Sequence, residues 1–314
     1  MYKVFLALML ALPAAADFTW QDNGRTITLL EDGKPVYVYQ HAFVEAPEGV
    51  KPHFRRMAYL HPLYGIDGEV LTEDFPEDHR HHRGVFWAWP ECTVGDRRMD
   101  VWSLKDARQI HKVFSAQVSE TQEAHLLVEN DWEWDDRPGE PQIHETIEIV
   151  THPANNGKRA LDFTLHFENV SGKTVTFLGA KDKGYGGLCF RPDARRKPMH
   201  FTADDGPVAE DQLRYETPWA DVSFEREADG NEDAAEGVPQ SGVAIMQHPD
   251  NPGYPHPGWM FRHYALLCTA WPHEQTHVLK PGESFELKYR LLVHRGGAAE
   301  AGIEDAFVDF TLKE

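Results

Sequence analysis

Cysteine is scarce: Cys92, Cys189 and Cys268 are the three in 314 residues. Three allow at most one bridge and leave a thiol over, so a disulfide-stapled scaffold is excluded. No C-x-x-C occurs, so a thiolate zinc site lacks its usual spacing. The three read as small buried apolar residues. Positive charge is also short, with Lys+Arg 31 against Asp+Glu 51 and a net charge of −20. A surface that acidic repels phosphate backbones and acidic bilayers, so no nucleic-acid partner is expected. Beyond the N-terminus no run reaches the ~18 apolar residues of a membrane helix, so no membrane span is expected. Helical periodicity is nearly missing too, as no segment keeps an apolar i, i+3, i+4 stripe over three turns. The chain lacks G-x-S-x-G, a G-x-G-x-x-G opening a helix, and a phosphate loop. Those absences disfavour an α/β-hydrolase and any nucleotide cofactor.

What remains is apolar enough for a sizeable core, at 41% hydrophobic and 11% aromatic. Residues 25–30 and 36–39 flank Glu31-Asp-Gly-Lys34, a hairpin signal. Strand-like runs follow at 85–89, 112–118, 125–129, 143–150, 161–167 and 174–178. Others lie at 222–224, 243–246, 264–270 and 285–294. Several alternate with period two, as in Leu161-Asp-Phe-Thr-Leu-His-Phe167, which gives each strand one buried face. A short helix is expected within 298–312 and a turn within 100–110. This pattern predicts an all-β fold, a large antiparallel β-sandwich with little helix. Residues 229–242 read as an acidic surface loop. The strand pattern does not change across it, so residues 17–314 are taken as a single β-sandwich domain. Before them, Lys3, an apolar run at 4–12 and Ala14-Ala15-Ala16 have the order of a secretory signal peptide over residues 1–16. The expectation is therefore an exported protein, periplasmic or extracellular.

The densest chemical signal is His61-Pro-Leu-Tyr-Gly-Ile-Asp-Gly68 followed by Asp74-Phe-Pro-Glu-Asp-His-Arg-His-His-Arg-Gly84. Imidazoles so close suit one divalent metal, with His79 and His81 as ligands. On an extended backbone those two share a face and His82 points away. A third ligand would then come from His61, Glu145 or a later histidine. His61, His82, Arg83 and Glu145 are the catalytic candidates; on a strand Glu145 faces opposite to His144. A second cluster, Lys181-Asp-Lys-Gly-Tyr-Gly-Gly-Leu-Cys-Phe-Arg191, offers Lys183, Tyr185 and Arg191 to a polyhydroxylated or acidic ligand. A third, His248-Pro-Asp-Asn-Pro-Gly-Tyr-Pro-His-Pro-Gly-Trp259, continues into Met-Phe-Arg-His263. Trp259 beside Arg262 and His263 has the composition of a sugar platform. Trp87 and Trp89 are added to it as substrate-binding aromatics. Carboxylate pairs for glycoside hydrolysis cannot be ranked without a spatial gap.

The string Phe75-Pro-Glu-Asp-His-Arg-His-His-Arg-Gly84 with His61-Pro resembles the hallmark of a bacterial family of unknown function. That family is labelled PmoA-like or methane oxygenase. Trp219-Ala-Asp-Val-Ser, Gly242-Val-Ala-Ile-Met-Gln-His-Pro-Asp-Asn-Pro252, Trp259-Met-Phe-Arg-His-Tyr264 and Leu279-Lys-Pro-Gly-Glu283 extend the resemblance over roughly residues 20–296. It implies His79, His81, His82 and Arg83 as a signature. It also implies sugar chemistry, through a setting similar to that of secreted carbohydrate-catabolic proteins.

The resulting expectation is a sandwich of the galactose-mutarotase-like or jelly-roll-like kind. It carries an exported carbohydrate-active enzyme, a lyase or hydrolase, that binds a carbohydrate ligand. A metal or Arg would stabilise negative charge and a His would move the proton. Two alternatives stay open: a non-catalytic glycan-binding sandwich, and the histidine-bound copper or iron oxygenase that the family label suggests.

Overall fold

The structure is a computed structural model that describes residues 17–225 and 241–312. The signal-peptide segment 1–16 and residues 229–240 of the acidic loop lie outside the described residues.

Two large antiparallel sheets face each other. The first runs Phe18–Asp22, Thr26–Glu31, Lys34–Gln40, Tyr59–Leu63, Val85–Ala88, Gly187–Phe190, Leu266–Cys268, Met260–Arg262. The second runs Gly206–Val208, Met199–Ala203, Trp219–Phe224, Ser241–Gln247, Ser284–Arg295, Lys158–Asn169, Ile143–Thr151, Ala124–Trp134, Ala107–Val118. A smaller sheet joins His277–Leu279, Val175–Phe177, Cys92–Val94 and Arg97–Met99. Ile143–Thr151 and Lys158–Asn169 bury alternate residues, as their period-two sequences require. Their inward side chains join those of the first sheet in one apolar cluster. Within it Trp89 meets Trp132 and Phe167 at 5.7 and 5.2 Å between ring centroids. An aromatic cluster of this size accounts for much of the burial that holds the sheets together.

Local chemistry explains the hairpin. Asp32 and Gly33 both take positive φ, 51° and 75°, as the two-residue turn between Thr26–Glu31 and Lys34–Gln40 requires. The terminal helix is broken. Gly302, at φ 59°, ends Ala298–Ala301 and opens Ile303–Thr311. Residues 107–110 of the expected turn belong instead to the long strand Ala107–Val118, where they pair with residues 131–134. The run 264–270 shrinks to Leu266–Cys268. No helix among the described residues is long and apolar enough to cross a membrane.

Candidate functional site

The histidine-rich loop leaves the strand Tyr59–Leu63 and returns to Val85–Ala88, and it is tied down on the way. Gly84 donates its N–H to Glu73 O (2.9 Å), and Arg191 N–H donates to Gly84 O (2.7 Å). Gly84 is required there: at φ 31° a Cβ would lie 2.0 Å from Leu60 O. Arg83 is a clamp, fully buried. Its Nη1 donates to Arg80 O (3.0 Å), its Nη2 donates to Phe54 O, and its Nε lies 3.2 Å from Asp74 Oδ1.

Between these anchors the chain does not stay extended. His82 N–H donates to His79 O (2.9 Å), closing a turn. The expectation that His82 points away from His79 and His81 is therefore corrected, because a turn repeats at three residues and a strand at two. All three histidines line one cleft of about 290 Å³, His79 and His81 half-buried and His82 buried. The rings of His79 and His82 stack at 4.7 Å and 7°, and Tyr264 stacks on His79 at 4.7 Å and 14°. Trp102 and Tyr185, 4.8 Å apart, supply further aromatic wall. Lys183 and Arg262 bring the positive charges, Arg262 with its Nε 3.1 Å from Asp211 Oδ2, and Leu213, Met260 and Leu266 an apolar lining. None of the lining residues is Asp or Glu.

The electrostatics follow from burial. Desolvation by burial, with smaller contributions from the neighbouring His79 and Arg56 side chains, pushes His81 down to about 3. Burial, then His81 and His79, drives His82 well below the ordinary imidazole value. Both are neutral at pH 7. His79 differs by having a carboxylate partner, since its Nδ1 lies 2.9 Å from Asp78 Oδ2. Asp78 in turn accepts from Arg191 Nη2 at 2.8 Å, and Arg191 also donates to Glu73 at 3.1 Å. Burial would raise the Asp78 carboxyl, but the bonds from His79 and Arg191 outweigh it and hold it below its usual range. The result is a chain Arg191–Asp78–His79 that orients one imidazole at the cleft.

Behind this wall lies a buried polar network. Arg56, 1% exposed, donates to Gln109 Oε1 (3.0 Å) and packs over Phe86 at 5.0 Å. Gln109 Nε2 donates to Glu145 (3.0 Å), which also accepts from Asn130 Nδ2 (2.7 Å) and Trp132 Nε1 (2.6 Å). Burial pushes the Glu145 carboxyl up against the pull of those bonds.

Of the residues singled out from sequence, His79, His81, His82, Lys183, Tyr185 and Arg262 meet at the cleft. The others do not line it. Trp87, Trp89 and Trp259 are fully buried, so the platform assigned to them is corrected. Trp89 donates to Trp271 O and Trp259 to Thr217 O, each at 2.7 Å, as core tryptophans do. Glu145, fully buried between the sheets, faces opposite to His144 as its strand dictates, and cannot meet a substrate at the surface. His61 hydrogen-bonds Thr72 Oγ1 (2.9 Å), and Arg83 is spent on the loop. Arg191 stands one layer back, 5.6 Å behind the Tyr264 ring. His263 is held by Asp211, at 2.7 Å through its N–H and 3.0 Å through Nδ1. Sequence reasoning passed over Trp102, Tyr264 and Arg56, and left Asp78 among carboxylates it could not rank. Tyr264 directly follows the Arg262-His263 pair, and Asp78 directly precedes His79.

The proposed metal pair fits poorly. The His79 and His81 rings meet edge-on at 5.7 Å, and His79 Nδ1 faces Asp78. Among the described residues no three His, Cys, Asp or Glu side chains converge as a metal-binding group.

Fold and cleft together define an antiparallel β-sandwich protein with an imidazole- and cation-lined site. The chain belongs to the family described as "Family of unknown function (DUF6807)", whose model matches residues 26–308. That description corrects the resemblance drawn from sequence: it carries no PmoA-like or methane-oxygenase label, and the oxygenase reading rested on that label. No curated protein matches the chain. Among solved structures it is similar to a galactose mutarotase-like protein from Lactobacillus casei ATCC 334. The identity is 7% and the TM-score 0.37, over 88% of this chain and 100% of that one. It is also similar to a GalM/aldose epimerase homologue from C. elegans, at 8% identity and TM-score 0.34, over 89% and 99%. Likeness of that degree says nothing about the cleft.

Proposed function

We propose that the protein is a carbohydrate-active enzyme that breaks a linkage in an anionic sugar by elimination. One observation carries the reading. In a chain of net charge −20, the cleft is lined by three histidines, Lys183 and Arg262, and by no carboxylate. A local positive site on an acidic protein selects an anion. Hydrolysis by the usual mechanism needs two carboxyl groups about 5–9.5 Å apart across the bond. Asp78 stands outside the lining, committed to His79 and Arg191, and Glu145 is buried in the core. Elimination needs one base and a charge acceptor, which is what the cleft offers.

The sugar carboxylate rests on Lys183 and Arg262, which stabilise the enolate-like charge as the adjacent C–H bond breaks. His79, its Nδ1 on Asp78, takes that proton at Nε2. The C–H electrons form the C=C bond, the C–O bond breaks, and the proton returns from His79 to the leaving oxygen. The neutral His81 and His82 keep further positive charge away from His79. The aromatic face of the half-buried Tyr185, backed by the buried Trp102, suits stacking against the sugar ring. We place this activity outside the cytoplasm, on the strength of the N-terminal segment.

The test is turnover of uronate-containing and neutral polysaccharides, followed by ultraviolet absorbance of the unsaturated product. The expected result is a signal with the uronates that His79→Ala abolishes. New reducing ends without a double bond would replace elimination by hydrolysis. Binding without turnover would leave a glycan-binding module.

A further inference from the structure

We infer that Cys189 and Cys268 close as a cross-strand disulfide that clamps the two strands leading to the walls of the cleft. The two residues stand opposite each other in the pairing of Gly187–Phe190 with Leu266–Cys268. Thr269 N–H donates to Leu188 O (3.0 Å), so the neighbouring rung is the hydrogen-bonded one. The cysteines therefore occupy a non-hydrogen-bonded rung, where Cα atoms lie about 4.5 Å apart and side chains come closest. That spacing is within the range a disulfide spans. The sulfurs already face each other at 2.7 Å, as free thiols. Cys92 pairs across its strand with Met99 and has no cysteine opposite it. Of the three pairings the sequence allows, the fold singles out this one.

The bond would act on the site from behind. Gly187–Phe190 begins two residues after Tyr185, and Leu266–Cys268 begins at Leu266, itself in the cleft lining. A covalent rung fixes the spacing of these walls. Both cysteines are fully buried, so no oxidant reaches them in the folded chain. Closure belongs to the folding chain. One thiolate attacks the S–S bond of a small disulfide oxidant, giving a mixed disulfide and one released thiol. The second thiolate displaces the other half. Two protons and two electrons leave the protein, and the oxidant departs as two thiols.

The experiment is oxidative refolding of the full chain in oxidised and reduced glutathione, against refolding in reductant alone. Each sample is alkylated under denaturing conditions and digested without reduction for mass spectrometry. The expected product is one linked peptide pair, Cys189 with Cys268, and an alkylated Cys92. Reduction should lower the melting temperature by about 5–10 °C. Cys92→Ser should titrate with no free thiol after oxidative refolding. Three alkylated cysteines in the parent, a linkage through Cys92, or two free thiols in Cys92→Ser would overturn the inference. These readouts involve no substrate, so their failure is separate from failure of the proposed activity.

Discussion

Glu145→Gln looks conservative, and the buried network says it is not. In the native chain every group around this carboxylate is a donor: Gln109 (3.0 Å) and Trp132 (2.6 Å) on one oxygen, Asn130 (2.7 Å) on the other. A glutamine amide has one acceptor oxygen and one NH₂. Turned the better way, its oxygen keeps Gln109 and Trp132 while its NH₂ meets Asn130 Nδ2, so two buried donors, that of Asn130 and the new amide, are left without an acceptor. Each costs about 1–3 kcal/mol. Neither neighbour can rescue it by flipping. Asn130 Oδ1 is engaged by Tyr39 Oη (3.3 Å) and His111 Nδ1 (3.1 Å), and Gln109 Oε1 accepts from Arg56 (3.0 Å). Removing a desolvated charge works in the opposite direction and offsets part of the loss. The net expectation is a loss of about 2–3 kcal/mol at pH 7.

Guanidinium unfolding should show it as a lower midpoint at an unchanged slope. The pH dependence has a definite sign. Burial raises the folded Glu145 carboxyl above its ordinary 4.5, so the folded state binds the extra proton in that window. The parent therefore loses stability as pH rises from 4.5 through the folded value. The gap between parent and variant is widest below that window and narrows above it. An equal or higher midpoint for the variant at pH 7 would show that the three donors do not depend on the carboxylate.

Four further outcomes follow. His79→Ala should lower kcat/KM on a uronate substrate by about 10²–10⁴-fold with the fold intact by circular dichroism. Arg262→Ala and Lys183→Ala should weaken binding of an anionic oligosaccharide and flatten its salt dependence, with little change for a neutral one, measured by titration calorimetry. Trp259→Ala should cost about 3–5 kcal/mol in denaturant unfolding. Because Trp259 is fully buried, glycan affinity of the protein that remains folded should be unchanged. His81, held down to about 3 by burial, binds its proton more weakly folded than unfolded. Stability should fall as pH drops from its ordinary 6.5 toward 3, and His81→Phe should shallow that slope in thermal melts.

The strands that carry period-two alternation were legible. Leu161-Asp-Phe-Thr-Leu-His-Phe167 declares one buried face, and the strand Lys158–Asn169 buries those positions. Short strands such as Arg97–Met99 and Gly206–Val208 carry no such signal, because their order comes from neighbours. Half of the site was legible as composition. The histidines, Lys183, Tyr185 and Arg262 come from three clusters whose loops meet at one cleft. What sequence could not supply was depth. Trp259 and Arg262 stand three residues apart, yet one is core and the other lines the cleft. Arg191 read as a substrate-binding charge and Glu145 as a catalytic one; both are buried, paired groups, because burial is set by partners on other segments, Glu73 for Arg191 and Trp132 for Glu145.

On the proposed reading, His79 moves a proton on an anionic sugar in this cleft. Proton NMR of a uronate oligosaccharide incubated with the protein in D₂O tests it most directly. The expected result is loss of the proton on the carbon next to the carboxylate, with appearance of a vinyl resonance, in the parent and not in His79→Ala. Retention of that proton while the linkage is cut, or equal rates in the His79→Ala variant, would contradict it.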